Sequence, residues 1–260
     1  MPPLEIKALL LAAGVGSRLA PLTKEWPKCL MPIGKRPLLE YWLEILYLLK
    51  IEKVLVNLHH HSPVVREFLQ RERFSDWVDC VFEKKLLGTA GTLKKNRKFF
   101  SDSTILLVHA DNWCQCDFES FIKYHTHERP NNCPITMMTF ETDTPESCGI
   151  VELNKDNILT GFHEKVENPP GNIANSAIYL IEPEVMTWLD NNPGCTDFST
   201  EVLPKFKGRI ATWHNSSIHR DIGVLNSLQK AQLDPRPPPV WLEEDQWQKL
   251  FLTNSIHNAL

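Results

Sequence analysis

Apolar residues along the chain fall into short unbroken runs that alternate with stretches of three- and four-residue apolar spacing. Residues 6–12 (IKALLLA) are nearly continuous and lead into glycine, the pattern of a strand covered on both faces. Residues 37–50 (PLLEYWLEILYLLK) open on proline and repeat apolar positions at helical spacing, which predicts an amphipathic helix packed on a core. The alternation continues with strands over 53–58, 78–82 and 104–108 and helices over 64–71 and 90–99, and a further helix begins near Asp117. Strand-helix alternation of this kind predicts a doubly wound α/β sheet, mostly parallel, with ligands at the carboxyl ends of strands.

Past Pro134 the texture changes to shorter strands, over 135–140, 150–153, 158–163 and 174–181, with one helix over 184–191. Strands over 210–213 and 218–222 and a helix over 224–232 follow, then DPRPPP at 234–239, a stiff polyproline spacer that no helix accommodates. The expected organisation is a main domain over 1–234, with halves of about 1–133 and 134–234, followed by a proline-rich spacer and C-terminal helix over 235–260. The tail 240–252 (VWLEEDQWQKLFL) either packs on its own domain or offers a surface for a homodimer.

Composition changes this picture little. The 260 residues carry a formal net charge of -4 with 42% hydrophobic residues, so nothing global attracts nucleic acid or an anionic membrane. No run is long enough to span a bilayer and no leader pattern is read. Seven cysteines, an odd number, need no pairing in a chain this size, and a reducing cytoplasm is expected. Cys114 and Cys116 lack a second pair at ligand spacing, so zinc is set aside. His59, His60 and His61 are consecutive, and alternation along a strand end would turn them to opposite sides, which argues against one shared ion.

Candidate chemistry concentrates in residues 11–28, LAAGVGSRLAPLTKEWPK. Gly14 and Gly16, directly after a buried strand, allow positive φ and leave room for backbone N–H groups to converge on phosphate oxygens. Arg18 and Lys28 add a planar fork and a point charge, and Pro21 and Pro27 stiffen the segment between them. A bare G-x-G would only be a connecting turn. The segment matches neither the P-loop nor the dinucleotide fingerprint. Asp111 and Asp221 each follow an apolar strand and offer the hard oxygens that Mg²⁺ prefers, although a strand-end aspartate also commonly caps the next turn. Asn57, inside a strand, either reaches a nucleotide or is a satisfied buried polar group.

The segment LAAGVGSRLAPLTKEWPKCLMPI resembles the signature of the sugar-1-phosphate nucleotidylyltransferases, with Cys29 where proline is common. Later segments resemble further elements of that family in order. These are LLGTAGTL at 86–93, HADN at 109–112, FHEKVENP at 162–169, NSAIYLIEP at 175–183, DFSTEVLP at 197–204 and RDIGVLNSLQKA at 220–231. Departures are His109, Ala177 in place of a glycine, and Val224-Leu225 in place of Thr-Pro; none removes a charged group.

The resemblance implies a Rossmann-like, glycosyltransferase-A-like fold with a smaller sugar-binding lobe, and transfer of a nucleotidyl group from an NTP to a sugar 1-phosphate. It implies Mg²⁺ on Asp111 and Asp221, and triphosphate contacts from Arg18 and Lys28. It places the nucleotide along Leu11, Ala12, Ala13, Gly14, Gly16, Ser17, Asn57, Gly88 and Thr89. It places the sugar phosphate at Asp111, Gly149, Glu164, Lys165 and Asn175, although Glu164 and Lys165 are equally readable as a solvated charge pair. The L-G-T-A-G form resembles guanylyltransferases acting on mannose 1-phosphate or heptose 1-phosphate, and hence a part in cell-surface polysaccharide synthesis. Other bases, a phosphocholine acceptor and a non-catalytic nucleotide-sugar-binding regulator are the alternatives. Acetyl transfer is not expected, since hexapeptide repeats are not seen.

Overall fold

A computed structural model describes residues 5–259. The fold is α/β with a mixed sheet, and the chain divides into two compact units, each discontinuous in sequence. One unit comprises residues 5–9, Leu87–Val108 and Gln115–His219, the other Leu10–Leu86, His109–Cys114 and the chain from Arg220 onward.

In the first unit the strands Leu159–Glu164, Gly149–Leu153, Ile173–Ile181 and Thr104–His109 lie side by side in that order. Ile173–Ile181 runs antiparallel to Thr104–His109, with Ile178 opposite Val108 and Ile181 opposite Ile105. It also takes Ile135–Glu141 antiparallel, and Ile210–Asn215 pairs parallel with Ile135–Glu141. Ile105, Leu106, Leu107 and Val108 are all buried, as a strand covered on both faces should be. The ladder between Ile173–Ile181 and Ile135–Glu141 slips between Asn175 and Tyr179. Ala177 lies in that slip with φ +56, so an alanine holds the left-handed conformation that favours glycine. The stretch expected to be one helix over 90–99 is two, Thr89–Lys95 and Arg97–Phe100. Asn96 separates them and bonds its side chain back to the Thr92 carbonyl at 2.8 Å.

In the second unit Val54–Leu58 pairs parallel with Val78–Phe82, and the helices Leu38–Leu48 and Ser62–Leu69 bury apolar side chains. Leu38–Leu48 buries two carboxylates, each answered by a buried arginine: Glu40 by Arg71 at 2.6 Å and Glu44 by Arg36 at 2.5 Å. Helix Leu225–Leu233 starts at Val224 with no side-chain cap, where the family pattern has a threonine. The tail is helical only over Gln246–Leu252, and it packs on its own unit. Trp247 lies edge-on to Phe68 at 4.9 Å, and Phe251 lies 5.9 Å from Trp26.

Candidate active site

The strand Ile6–Leu11 runs out into the loop, and the loop is held from several sides. The Ala12 N–H donates to Asn57 Oδ1 at 2.8 Å, and Asn57 Nδ2 donates to Glu83 at 3.0 Å. Asn57 thus braces the start of the loop from inside the sheet. Gly16 has φ +68, and a Cβ there would lie 2.8 Å from the Thr23 methyl and 3.3 Å from Lys28 Cβ. Conformation and close packing therefore both demand glycine at 16. Gly14 has neither requirement: its φ is not left-handed and a Cβ would meet nothing within 4 Å. Gly14, Val15, Ser17 and Arg18 are exposed, Ala12 and Ala13 buried and Leu11 half-buried.

Thr23 organises the far side of the loop. Its hydroxyl donates to the Gly16 carbonyl at 2.9 Å, and its own carbonyl accepts from His60 Nε2 and His61 Nε2, both at 3.0 Å. The two imidazoles converge, rather than diverging as strand alternation predicts, because His61 has left the strand for a left-handed turn at φ +51. Among the described residues no group of three or more His, Cys, Asp or Glu side chains gathers to hold a metal ion.

Lys28 opens the short turn Lys28–Leu30 and its side chain is 6% exposed. Its Nζ donates to Asp111 Oδ2 at 2.6 Å and to Asp221 Oδ1 at 3.0 Å, so one ammonium bridges both carboxylates. Arg18 donates to the other oxygen of Asp221 at 3.1 Å. Backbone hydrogen bonds fix the segments that carry these groups: Ala110 N–H donates to Leu11 O at 3.1 Å, and Ile222 N–H to Asp111 O at 3.2 Å. Burial works against the Lys28 charge, but the two carboxylates outweigh it and hold the ammonium above the ordinary lysine range. Burial alone would likewise push the Asp111 carboxyl up; Lys28 first, then His109, hold it below the usual carboxylate range. Cys29 beside them is buried, and that burial with the Asp111 charge pushes its thiol up to about 12, which leaves it unreactive.

The arrangement suits a hard cation. Two carboxylates already share one positive charge, and Mg²⁺ commonly takes one or two protein carboxylates and completes its shell with phosphate and water oxygens. Arg18 is 59% exposed and Asp221 48%, so the outer side of the cluster is open to a polyanion.

The other expected residues lie in the first unit. Gly88, at φ +77, leads into helix Thr89–Lys95, and a Cβ there would come within 2.4 Å of the Thr196 carbonyl oxygen. That carbonyl accepts from the Ala90 and Gly91 N–H groups, and Thr89 Oγ1 accepts from the Phe198 N–H at 2.6 Å. Gly149 stands opposite Glu164 across the ladder. Lys165, at φ +49, holds its Nζ 3.1 Å from Glu164 Oε1, with Lys165 59% and Glu164 32% exposed. Asn175 Nδ2 donates to the Tyr179 hydroxyl at 2.6 Å, and its Oδ1 accepts from the Ala177 N–H at 3.0 Å. Burial keeps the Tyr179 phenol protonated well above its ordinary range.

The family model described as nucleotidyl transferase matches residues 7–236. The chain belongs to the nucleotidyl transferase family. Among its relatives in this family, a mannose-1-phosphate guanyltransferase of Candida glabrata is 28% identical over 206 residues, covering 77% of this chain and 56% of the relative. A UTP–glucose-1-phosphate uridylyltransferase of Synechocystis sp. is 29% identical over 214 residues, covering 77% and 55%. The chain therefore spans little more than half the length of these two relatives. Of the solved structures, HddC from Yersinia pseudotuberculosis complexed with GMP-PN superposes with a TM-score of 0.73 at 22% identity, covering 87% of this chain and 98% of that one, and so shares its fold. Two groups tied to the candidate residues were not anticipated from the sequence. Tyr179 shares the Asn175 side chain, and Thr23 anchors the loop through an ordinary hydroxyl and carbonyl. Spacing marks neither, although Tyr179 falls four residues after Asn175 on one strand.

Proposed function

We propose that the protein transfers a nucleoside monophosphate from an NTP to a sugar 1-phosphate, releasing pyrophosphate. The observation that carries this reading is the Lys28 ammonium bridging Asp111 and Asp221, with Arg18 on the second aspartate. A sugar-1-phosphate oxygen attacks the α-phosphorus in line, the bond to the β-phosphate bridging oxygen breaks, and pyrophosphate carries the electron pair away. The nucleophile is already an anion at neutral pH, so no general base is required. What the protein must do is bring two polyanions together and offset the charge that develops between them.

Arg18 and Lys28 bind the triphosphate, and the exposed backbone of Gly14 and Ser17 offers N–H groups to it. Asp111 and Asp221 would hold Mg²⁺, which when bound neutralises phosphate oxygens. Freed from its carboxylates, Lys28 has its charge available for phosphate. In the first unit, Gly88 and Thr89 present backbone groups to the base, and Gly149, Glu164, Lys165 and Asn175 form the sugar-phosphate subsite. Guanine is the favoured base and mannose or heptose 1-phosphate the favoured acceptor. The L-G-T-A-G segment and the relative named as a mannose-1-phosphate guanyltransferase support that choice. A cytoplasmic location, and use of the product in cell-surface polysaccharide synthesis, are parts of the same proposal. The exposed Leu242 and Leu250 of the tail are the contacts a homodimer would use.

The test is pyrophosphate release with Mg²⁺, each of the four common NTPs, and mannose, heptose and glucose 1-phosphates with phosphocholine beside them. GTP with mannose or heptose 1-phosphate should turn over fastest. Silence with every pair contradicts transfer itself, whereas turnover with UTP and none with GTP contradicts only the choice of base.

A further inference from the structure

We propose that Asp234 is a positioning residue for the two carboxylates of the transfer site, acting through Trp113 and Arg220, an inference that rests on the metal-dependent transfer reading above. Asp234 follows helix Leu225–Leu233 and turns the chain into extended backbone at φ -65 and ψ 149. Its side chain is 9% exposed and carries three hydrogen bonds. Oδ2 accepts from the Trp113 indole N–H at 2.9 Å and from Arg220 Nε at 2.7 Å, and Oδ1 accepts from Arg220 NH2 at 2.8 Å. The arginine contact is the two-pronged carboxylate-guanidinium fork, which fixes orientation as well as distance.

The partners give these bonds their meaning. Trp113 lies two residues after Asp111, and Arg220 immediately precedes Asp221. Successive residues of a strand project to opposite faces, so a group that grips Arg220 holds the Ile218–Asp221 strand from the face away from the Asp221 carboxylate. Trp113 is itself locked, 1% exposed and edge-on to Tyr41 at 4.8 Å. One carboxylate therefore ties together the two segments that carry the site's own carboxylates. The backbone bond from Ile222 N–H to Asp111 O at 3.2 Å is a second tie between them. A metal or ammonium site built from two carboxylates depends on their separation to within about 0.5 Å, so the brace behind them controls how well the pair grips a cation. The aspartate that opens the proline-rich stretch thus belongs to the site rather than to a spacer.

Electron paramagnetic resonance of free Mn²⁺ reads the grip directly, on the full chain and without substrate. In Asp234→Asn the Mn²⁺ dissociation constant should rise about tenfold and kcat should fall by a similar factor. KM for the sugar phosphate should stay within about threefold of wild type, since the brace touches neither substrate. Trp113→Phe keeps the packed ring, removes one donor and should weaken Mn²⁺ binding in the same direction. Adding it to Asp234→Asn should weaken binding by less than the product of the two single losses, because both substitutions loosen the same brace. Wild-type Mn²⁺ affinity and kcat in Asp234→Asn would overturn the proposal, as would losses that multiply in the double variant. Should Asp234→Asn fail to fold, unchanged Mn²⁺ affinity in Trp113→Phe overturns it alone. A wild type that binds no Mn²⁺ contradicts the metal reading and removes this inference with it, an outcome distinct from equal binding by wild type and variant.

Discussion

Ala177 holds φ +56 in the slip of the Ile173–Ile181 ladder, where the family pattern has glycine. An L-residue in that conformation costs roughly 1–2 kcal/mol, and glycine gives back part of the relief through its larger unfolded-state freedom. Ala177→Gly should therefore stabilise the fold by about 0.5–1 kcal/mol, seen as a higher urea midpoint at unchanged slope. A lower midpoint would mean that the methyl makes a packing contact worth more than the strain. At this scale the sequence was informative where a side chain carries charge in a patterned segment: Arg18, Lys28, Asp111 and Asp221 are all nameable from the string. Asp234 was not, because its partners Trp113 and Arg220 lie 121 and 14 residues away and nothing in DPRPPP points to them. Gly14 and Gly16 look alike in the G-x-G, and only Gly16 combines a left-handed φ with close neighbours, a difference that depends on where Thr23 and Lys28 fold back.

Elements with strong periodicity were legible to within a residue or two, and the failures have local causes. Asp245 caps helix Gln246–Leu252 by accepting from the Gln248 N–H at 2.9 Å, so the helix starts there and Trp241 and Leu242 fall outside it. The short strand Asn112–Gln115 falls where the chain is expected to turn from Asp111 into the helix near Asp117, and four residues are too few to show a period of their own. That helix continues as a wider turn over Tyr124–Glu128, pinned by His125, which is 1% exposed. Its Nδ1 meets Thr136 Oγ1 at 2.7 Å and its Nε2 meets Glu182 at 3.0 Å. Burial first, and Arg129 with it, hold the imidazole below its ordinary range despite Glu182, so the folded ring stays neutral where an unfolded one takes a proton. A depressed folded value means stability that is present above the unfolded pKa of about 6.5 and lost as pH falls below it. The unfolding free energy should decline from pH 7 toward pH 5 with a contribution of at most about 1.4 kcal/mol per pH unit from this one proton. His125→Gln should flatten the decline in that window; an unaltered slope would assign it to other groups.

Across the whole molecule, the order of the signature segments along residues 11–231 carries the resemblance to the family whose model matches residues 7–236. What the order could not show is that each compact unit is assembled from separate stretches of chain. Residues His109–Cys114 join the loop's unit although the strand before them belongs to the other. That is how Asp111 reaches Lys28 across 83 residues, and Asp221, from the segment that begins at Arg220, reaches the same Lys28 across 193. We propose that this trio, with Arg18, is a metal-dependent nucleotidyl-transfer centre. Its most direct test is pyrophosphate release by wild type and Asp111→Asn, with Mg²⁺ and with EDTA, at equal thermal stability of the two proteins. The account predicts that EDTA silences the wild type and that Asp111→Asn loses on the order of 10²–10³-fold or more in kcat. Turnover in Asp111→Asn within a few-fold of wild type, or activity indifferent to EDTA, would contradict it.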